Sequence, residues 1–435
     1  MAEKLKKIWR SLGPGFVTGA SDDDPSGVMT YAIAGARFGN LTLWTMLYIL
    51  PLMVAVQEMS ARIGISSSCG LAGNIKKYYS KSVLFFIAIL IIVSNTFNIG
   101  ADVFGMASAV ELLTPGSTKS LSWIMVLLIL LLVVVLPYKK IVFIFKMLAI
   151  SLFAYMVAGF LVIDNWQDIL KKLLIPHFSL TKDYFVILVA IIGTTISPYL
   201  AFWQASEEAE EKKLEQPGKK VFICRYREVP EEELSRIKID TRIGMFFSNL
   251  IGFFIIALMS AVLFSAGIKD VETVKDAAEA LRPLAGEYAY ILFSVGLISA
   301  GLLTIPILAG SSAYVLAEMF NWKGSLDQPF RKAKQFYGVI IASAFIGMAI
   351  PYTGITAVQA LFWTALIHGI VAPFLIAIVI HMANNKSIVG PNVNNRSSNV
   401  WGFITLGILI VSLAVIFTTE IPVHKGAAFI FNQIF

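Results

Sequence analysis

An acidic break in the first apolar segment constrains this chain more than any other feature. Residues 21–27 read Ser-Asp-Asp-Asp-Pro-Ser-Gly and separate two apolar stretches that would otherwise form one membrane-spanning helix. An ionised carboxylate near the middle of a bilayer costs roughly 3 kcal/mol, and lipid cannot hydrogen-bond an unwound backbone. We therefore expect this segment to face protein, water or a bound cation.

The composition indicates an integral membrane protein with an all-α fold. Of the 435 residues, 57% are apolar and 14% are charged, and the mean hydropathy is +0.76. A helix needs about 20 apolar residues to cross a bilayer, and the sequence predicts eleven such transmembrane helices. These spans, numbered 1 to 11 in chain order, are 13–35, 40–64, 83–110, 121–137, 140–163, 184–206, 243–267, 288–316, 336–352, 356–381 and 399–418.

The basic residues predict the orientation. Of the 35 lysines and arginines, all but nine fall in the N-terminal tail and in the loops 62–81, 138–146, 207–242, 323–334 and 382–397. Cytoplasmic loops carry such an excess, so we expect a multi-pass protein of the plasma membrane with a cytoplasmic N-terminus and an outside C-terminus. Topology then explains the net charge of +7 without a nucleic-acid partner. Cys69 and Cys224 fall in loops predicted to be cytoplasmic, so we expect no disulfide.

Span 6 carries a second break. Its sequence Ile192-Gly-Thr-Thr-Ile-Ser-Pro-Tyr199 places Gly, hydroxyls and Pro in an apolar helix, and Pro198 removes a backbone donor. Spans 1 and 6 are five apart, so two units of five helices would lie in opposite orientations, as in the inverted repeats of secondary transporters. We predict one transporter domain over 1–435, with repeats at about 13–163 and 184–381, an extra helix at about 399–418 and a cytoplasmic loop at about 207–240.

Several motifs resemble the Nramp family of divalent-metal transporters. Gly13-Pro-Gly-Phe followed by Asp24-Pro-Ser-Gly27 is similar to the family's broken first helix, which reads Asp-Pro-Gly-Asn. The other similar motifs are Arg62-Ile-Gly, Tyr78-Tyr79, Asp102-Val-Phe-Gly and Ile196-Ser-Pro-Tyr199, the last matching Ile-Met-Pro-His in the family. The resemblance covers nearly the whole chain. It implies a LeuT-type fold, with helices 1 and 6 broken and helix 11 outside two inverted five-helix repeats, and transport of divalent cations.

The family's metal-binding residues fall partly on altered positions. The family's aspartate corresponds to Asp24, its asparagine to Gly27, its methionine to Ser197 and the alanine that offers a carbonyl to Thr194. A thioether favours softer transition metals, whereas Mg²⁺ keeps waters held by one or two carboxylates. The resemblance therefore implies an oxygen-lined, wider metal site at these four residues, with Asp102 adding long-range attraction.

The family's proton pathway is altered as well. Its span 6 histidine corresponds to Tyr199, whose phenol has a reference pKa of about 10 and does not titrate at neutral pH. Its acid pair in span 3 appears as Ile99 and Asp102. The runs Asp-Asp-Asp-Pro-Ser-Gly at 22–27, Thr-Ile-Ser-Pro-Tyr at 195–199 and Trp-Gln-Ala-Ser-Glu-Glu at 203–208 resemble the Nramp-related magnesium transporters, which carry Mg²⁺ and Mn²⁺ without proton coupling. We predict the same function by alternating access, with these ions as substrates and no cofactor.

The acids also have structural explanations. Asp24 before Pro25 is a common helix N-cap. Three consecutive residues cannot all face one point, so Asp22 and Asp23 are candidates either for an aqueous vestibule on the pathway or for simple solvation. Asp102 either lines the pathway or bonds hydroxyls of a neighbouring helix.

Polar residues of spans 6 and 10 complete the candidates. Gln204 shares a helix face with Glu207 and Glu208, which fits an acidic inner vestibule or a solvated helix end. Gln359 is a candidate for lining the cavity, and His368 fits a histidine bonded to a backbone carbonyl. The pathway candidates are Asp22, Asp23, Tyr199, Gln204 and Gln359.

Other functions have less support. No His-Glu-x-x-His, Gly-x-x-x-x-Gly-Lys-Ser/Thr or Gly-x-Gly-Asp motif occurs, so we expect no enzyme. One rival is a proton-coupled Mn²⁺/Fe²⁺ transporter of the Nramp type with a relocated proton relay. The other is a Na⁺-coupled organic-solute carrier of the same fold, although three acids at the break would repel an anionic substrate. The expected partners are divalent ions and the bilayer, and the sequence leaves the oligomeric state open.

Overall fold

The computed structural model describes residues 14–136, 144, 147, 150–214, 224–282, 286–326 and 328–418. Within these ranges the chain forms helices and no β-strand. In chain order the α-helices are α1 Pro14–Ala20, α2 Pro25–Phe38, α3 Trp44–Ser67, α4 Leu71–Tyr78, α5 Lys81–Glu111, α6 Thr118–Val135, α7 Phe153–Val162, α8 Trp166–Leu174, α9 Lys182–Thr195, α10 Pro198–Leu214, α11 Glu231–Met259, α12 Val274–Glu279, α13 Ala289–Phe320, α14 Lys334–Gly347, α15 Ala357–Ala383, α16 Lys386–Val389 and α17 Arg396–Thr418.

The predicted all-α membrane fold is confirmed. Nine segments of the described residues are long and apolar enough to cross a membrane, and they match every predicted span except 1 and 5. Span 1 is divided between α1 and α2, while span 5 includes residues outside the described ranges and is represented by α7. The count of eleven therefore stays a prediction, as does the division into two repeats.

Both predicted helix breaks are present. In span 1 the backbone leaves the helix after Ala20 and re-enters it at Pro25, and in span 6 it does so between Thr195 and Pro198. Each proline opens the second helix of its span, where a missing N–H costs nothing. Asp24 is the N-cap of α2, with its Oδ1 accepting from the backbone N–H of Gly27 at 2.6 Å. Local chemistry is therefore sufficient to explain where the helices stop and restart.

Glycines allow the broken spans to pack closely against neighbouring helices. A Cβ added at Gly19 of α1 would lie 2.2 Å from the carbonyl carbon of Gly244 in α11. A Cβ added at Gly193 of α9 would lie 2.3 Å from the backbone nitrogen of Gly369 in α15. These distances are too short for any side chain, so backbone packs directly on backbone at both places.

The segment predicted as a cytoplasmic loop, about 207–240, begins within α10 and ends within α11. Residues 215–223 of this segment lie outside the described residues. The following segment crosses the end of α3, because the backbone N–H groups of Arg225 and Arg227 donate to the carbonyls of Ser67 and Ser66 at 3.1 and 2.8 Å.

This crossing places Cys224 beside Cys69, and the two form a disulfide. The prediction of no disulfide is therefore wrong for this structure. The prediction rested on compartment alone, whereas the backbone pairing along α3 brings together two residues 155 positions apart.

Candidate metal site

The two helix breaks lie side by side in the protein interior. A Cβ added at Gly27 would lie 3.1 Å from Thr194 Oγ1 and 3.3 Å from Asp24 Oδ1. Ser197 Oγ donates to the Thr194 carbonyl at 2.5 Å. Asp24, Thr194 and Ser197 are at most 2% exposed. The structure thus brings together the four residues that the resemblance assigns to the metal, and their metal-binding role stays a prediction.

The Asp24 carboxylate is held from two helices. Its Oδ1 accepts from Ser26 Oγ at 2.7 Å as well as from the Gly27 amide, and its Oδ2 accepts from Asn98 Nδ2 of α5 at 2.9 Å. Asn98 is not among the residues predicted from the sequence. Asn95, Asn98 and Asp102 follow one another at intervals of three and four along an apolar helix. This stripe of polar residues on one helix face could have identified Asn98 from the sequence.

Three further acids are buried around this point. Asp22, Asp23 and Asp102 have no exposed surface, so Asp22 and Asp23 are neither solvated nor lining an open aqueous vestibule in this structure, and their part in the pathway stays a prediction. Asp22 Oδ2 accepts from Ser248 Oγ at 2.6 Å. Asp22 Oδ1 and both carboxylate oxygens of Asp23 and of Asp102 have no hydrogen-bond partner among the described residues. Buried carboxylates without donors are costly, so these oxygens need a cation or a proton.

Asp102 lies one helical turn after Asn98 on α5 and within electrostatic range of Asp24. Because Asn98 contacts Asp24 directly, this spacing places the Asp102 side chain on the same helix face. Within the described ranges no hydroxyl bonds the Asp102 carboxylate, so the alternative of a hydrogen bond to a neighbouring helix is wrong in this structure. The arrangement fits the predicted role of long-range attraction.

Tyr199 ties the second break to the first. Its hydroxyl donates to the carbonyl of Ser21 at 2.9 Å, and Thr304 Oγ1 donates to the same carbonyl at 3.0 Å. That carbonyl lies just beyond the end of α1, where no helical amide can reach it. Tyr199 therefore satisfies a backbone group that the break has freed.

His368 lies against Tyr199, with 5.6 Å between the ring centroids. The histidine is fully buried, and neither ring nitrogen has a hydrogen-bond partner among the described residues. The expectation that a backbone carbonyl satisfies this side chain is wrong. A buried imidazole thus packs against the first turn of α10.

The acids after the second break are buried as well. Gln204 Nε2 donates to Glu208 Oε1 at 2.7 Å, as their spacing of four predicts. Glu207 Oε1 accepts from the hydroxyl of Tyr314 at 3.1 Å. Gln204, Glu207 and Glu208 are at most 6% exposed, so they form neither a solvated helix end nor an open inner vestibule in this structure, and the pathway role of Gln204 stays a prediction.

Gln359 has a structural role. Its side-chain Oε1 accepts from the backbone N–H of Thr356 at 2.9 Å, and its own N–H donates to Thr356 Oγ1 at 3.2 Å. These reciprocal bonds form a capping box at the start of α15. The part of Gln359 in the pathway stays a prediction.

No three His, Cys, Asp or Glu side chains are arranged as metal ligands anywhere in the described ranges. The candidate site instead combines the carboxylate of Asp24 with hydroxyl groups of Thr194 and Ser197. The Thr194 hydroxyl has no hydrogen-bond partner among the described residues. The Ser197 hydroxyl donates to a carbonyl and keeps its lone pairs. Both oxygens can therefore accept a bond from a hydrated cation.

Known proteins resemble the chain over nearly its full length. Divalent metal cation transporters MntH of Chromohalobacter salexigens and Clostridium acetobutylicum are 23% and 24% identical, each alignment covering 94% of this chain and 91% of the relative. The solved manganese transporter of Eremococcus coleocola superposes with a TM-score of 0.74 at 19% identity, covering 99% of this chain and 92% of that chain. MhsT in complex with L-phenylalanine superposes with a TM-score of 0.61 at 10% identity, covering 93% and 98%.

The structural matches establish the fold and agree with the LeuT-type architecture predicted from the sequence. The family model described as natural resistance-associated macrophage protein-like matches residues 15–420. That range contains both helix breaks and every candidate site residue. The chain belongs to the Nramp family.

Proposed function

We propose that this protein is a transporter of divalent cations, Mg²⁺ and Mn²⁺, that works by alternating access without proton coupling. The observation that carries the proposal is the group of buried acids at the break in span 1, where Asn98 positions Asp24 and the carboxylates of Asp23 and Asp102 have no hydrogen-bond partner among the described residues. A divalent cation supplies the missing positive charge. The relatives named as divalent metal cation transporters support the same substrate class.

The choice of ion follows from the ligand atoms. Asp24, Thr194 and Ser197 offer oxygen ligands, and no thioether stands at the positions carried over from the family. Mg²⁺ is a hard ion that dehydrates reluctantly and is held through one or two carboxylates and its own waters. Mn²⁺ also accepts oxygen ligands. A partly hydrated ion beside Asp24 therefore fits the chemistry of these side chains.

The absence of proton coupling is proposed from two positions. Tyr199 stands where the resemblance expects a histidine, and its hydroxyl is engaged with the Ser21 carbonyl. Ile99 stands where it expects an aspartate and is fully buried. A divalent ion moving inward gains about 4.6 kcal/mol per 100 mV, which supports roughly a two-thousandfold gradient. The membrane potential alone is thus a sufficient driving force.

One observation favours the proton-coupled alternative. His368 is buried against Tyr199, and neither of its nitrogens has a hydrogen-bond partner among the described residues. A relay moved from span 6 to span 10 would use such a residue. The alternative therefore predicts that His368→Gln abolishes proton movement, whereas our proposal predicts that wild-type protein already moves none.

The experiment that tests the proposal measures both ions at once. Purified protein is reconstituted in liposomes containing a Mg²⁺ indicator and a pH reporter, the potential is clamped, and Mg²⁺ or Mn²⁺ is added outside. We expect either ion to enter without acidification and uptake to grow with an inside-negative potential. Mn²⁺ entry with stoichiometric acidification, and no Mg²⁺ entry, would establish the proton-coupled alternative instead.

A further inference from the structure

A cavity of about 470 Å³ lies away from the helix breaks, between the C-terminal part of α3 and the first turns of α11 and α17. Glu58 and Arg62 line it from α3, Lys238 and Arg242 from α11, and Trp401 from α17. The excess of basic residues in the adjoining loops predicts this end of the three helices to be cytoplasmic. The cavity would then open at the inner surface of the membrane.

The charges in this cavity are not balanced. Glu58 is the one acid among the described lining residues, and its Oε1 accepts from Arg242 Nε at 2.6 Å. Arg62 lies within electrostatic range of the same carboxylate. Neither Arg62 nor Lys238 forms a hydrogen bond or ion pair with the described residues, and Arg62 is only 8% exposed. Because the Glu58 carboxylate is already bonded to Arg242, the charges of Arg62 and Lys238 exceed the negative charge in the cavity, and an anion there would neutralise them.

The remaining polar groups point to the same ligand. Asn392 lines the cavity, and its buried side-chain nitrogen has no acceptor among the described residues. Ser397 and Ser398, in the first turn of α17, also line it. Asn395 Oδ1 already accepts from the Ser398 amide at 2.7 Å, so the serine hydroxyls, together with the positive end of the helix dipole, are what this helix start offers an anion. These groups donate hydrogen bonds, which suits the several acceptor oxygens of a phosphate.

One wall of the cavity changes character along α3. Pro51, Val54 and Ala55 lie on the helix face that also carries Glu58 and Arg62, because their spacing repeats every three to four residues. From Pro51 to Arg62 the face rises about 16 Å along the helix axis. An apolar surface at membrane depth thus leads to a cationic end. A free phosphate would use only the cationic end, whereas a phospholipid would use both.

We infer that this cavity binds an anionic phospholipid, with the phosphate among Arg62, Lys238 and Asn392 and an acyl chain along Pro51 and Val54. Anionic lipids concentrate in the cytoplasmic leaflet, and basic pockets between membrane helices bind their head groups. Trp401 is 39% exposed beside the cavity, as an indole at a membrane interface is. The site also gives a use to the Arg62-Ile-Gly motif, which the metal site does not involve.

The test is native mass spectrometry of the purified full-length protein in detergent. Phosphatidylglycerol, phosphatidylcholine with the same acyl chains, and inorganic phosphate are titrated separately and in competition. We expect phosphatidylglycerol to bind more tightly than phosphatidylcholine. The double variant Arg62→Gln, Lys238→Gln should weaken phosphatidylglycerol binding about thirtyfold, since each basic residue near an anionic head group contributes about a factor of five.

The matched control is Arg331→Gln, Lys332→Gln, which removes the same charge from two exposed side chains elsewhere on the predicted cytoplasmic face. This control should bind phosphatidylglycerol as the wild type does. Equal loss in both double variants would overturn the inference, because it would show attraction by overall charge alone. Displacement of the lipid by an equal concentration of inorganic phosphate would also overturn it, in favour of a free-anion site.

A further variant tests the acyl-chain part of the site and separates loss of lipid binding from loss of folding. Val54→Trp keeps every charge but fills the apolar part of the cavity, and Val54 is only partly buried. We expect it to weaken phosphatidylglycerol binding about tenfold. The lipid-free melting temperature should stay close to that of the wild type, because the added ring fills an open cavity and not a packed core. Unchanged lipid binding in Val54→Trp would refute the acyl-chain half of the inference.

Discussion

The two helix breaks meet in space but differ in chemistry. The break in span 1 holds three consecutive acids, with Asp24 fixed by Ser26, Gly27 and Asn98. The break in span 6 holds hydroxyls, and Ser197 Oγ donates to the carbonyls of Gly193 and Thr194 at the end of α9. Under the proposed function, one break supplies the charge that attracts a cation and the other supplies neutral groups that choose among cations. The following predictions test that division.

Removing the charge of the first break should have the largest effect. Asp24→Asn keeps the shape and the cap of α2 but loses the carboxylate, so we expect Mg²⁺ and Mn²⁺ uptake to fall at least about a hundredfold. Uptake into proteoliposomes measures this, with Asp270→Asn at an exposed position as the control. Near-normal uptake by a folded Asp24→Asn protein would remove Asp24 from the metal site.

Removing the hydrogen bond that holds the Asp24 carboxylate should have an intermediate effect on ion uptake. Asn98→Ala deletes the donor to Asp24 Oδ2 and leaves the carboxylate in place. A lost hydrogen bond to a charged group costs about 2 kcal/mol, so we expect the concentration for half-maximal uptake to rise about tenfold or more. The control is Asn95→Ala on the same helix, because the Asn95 side chain donates to Ser311 and Ser312 and not to Asp24. Equal effects of the two changes would argue that Asn98 acts only through packing.

Changing the neutral break should alter selectivity rather than total transport. Ser197→Met introduces the thioether found in the family, and we expect the ratio of Mn²⁺ to Mg²⁺ uptake to rise about tenfold. Adding Gly27→Asn should extend the shift, but a Cβ at Gly27 would lie 3.1 Å from Thr194 Oγ1, so the single change is the cleaner test. An unchanged ratio in Ser197→Met would mean that selectivity lies elsewhere.

The smallest effect on ion uptake is expected from removing the Tyr199 hydroxyl, which bonds the second break to the Ser21 carbonyl of the first. Tyr199→Phe removes one of two donors to the Ser21 carbonyl, and Thr304 retains the other. We expect a loss of about 1 kcal/mol in stability, read as a lower melting temperature in detergent, with uptake kept within about threefold. A loss of uptake as large as that of Asp24→Asn would instead give Tyr199 a direct part in transport.

The breaks were predictable from sequence because their causes are local. Asp24 before Pro25 caps a helix, and Pro198 interrupts one, whatever surrounds them. The partners of the acids were not predictable in the same way, since Asn98 reaches Asp24 across 74 residues of sequence. Burial of Glu208 was also missed, because a charged helix end reads as solvated until another helix is known to cover it. His368 shows the same limit, since its neighbour Tyr199 lies on a different span.

The disulfide between Cys69 and Cys224 turns the intervening chain, which includes α4 to α10, into a covalent ring. One proteolytic cut within that ring leaves a single molecule while the bond is intact, and two fragments once it is reduced. Gel migration of nicked protein from native membranes, with and without reductant, therefore reports whether the ring is closed in the cell. Because cytoplasmic thiols are kept reduced, an open ring would agree with the predicted orientation, and a closed one would place this face of the protein outside.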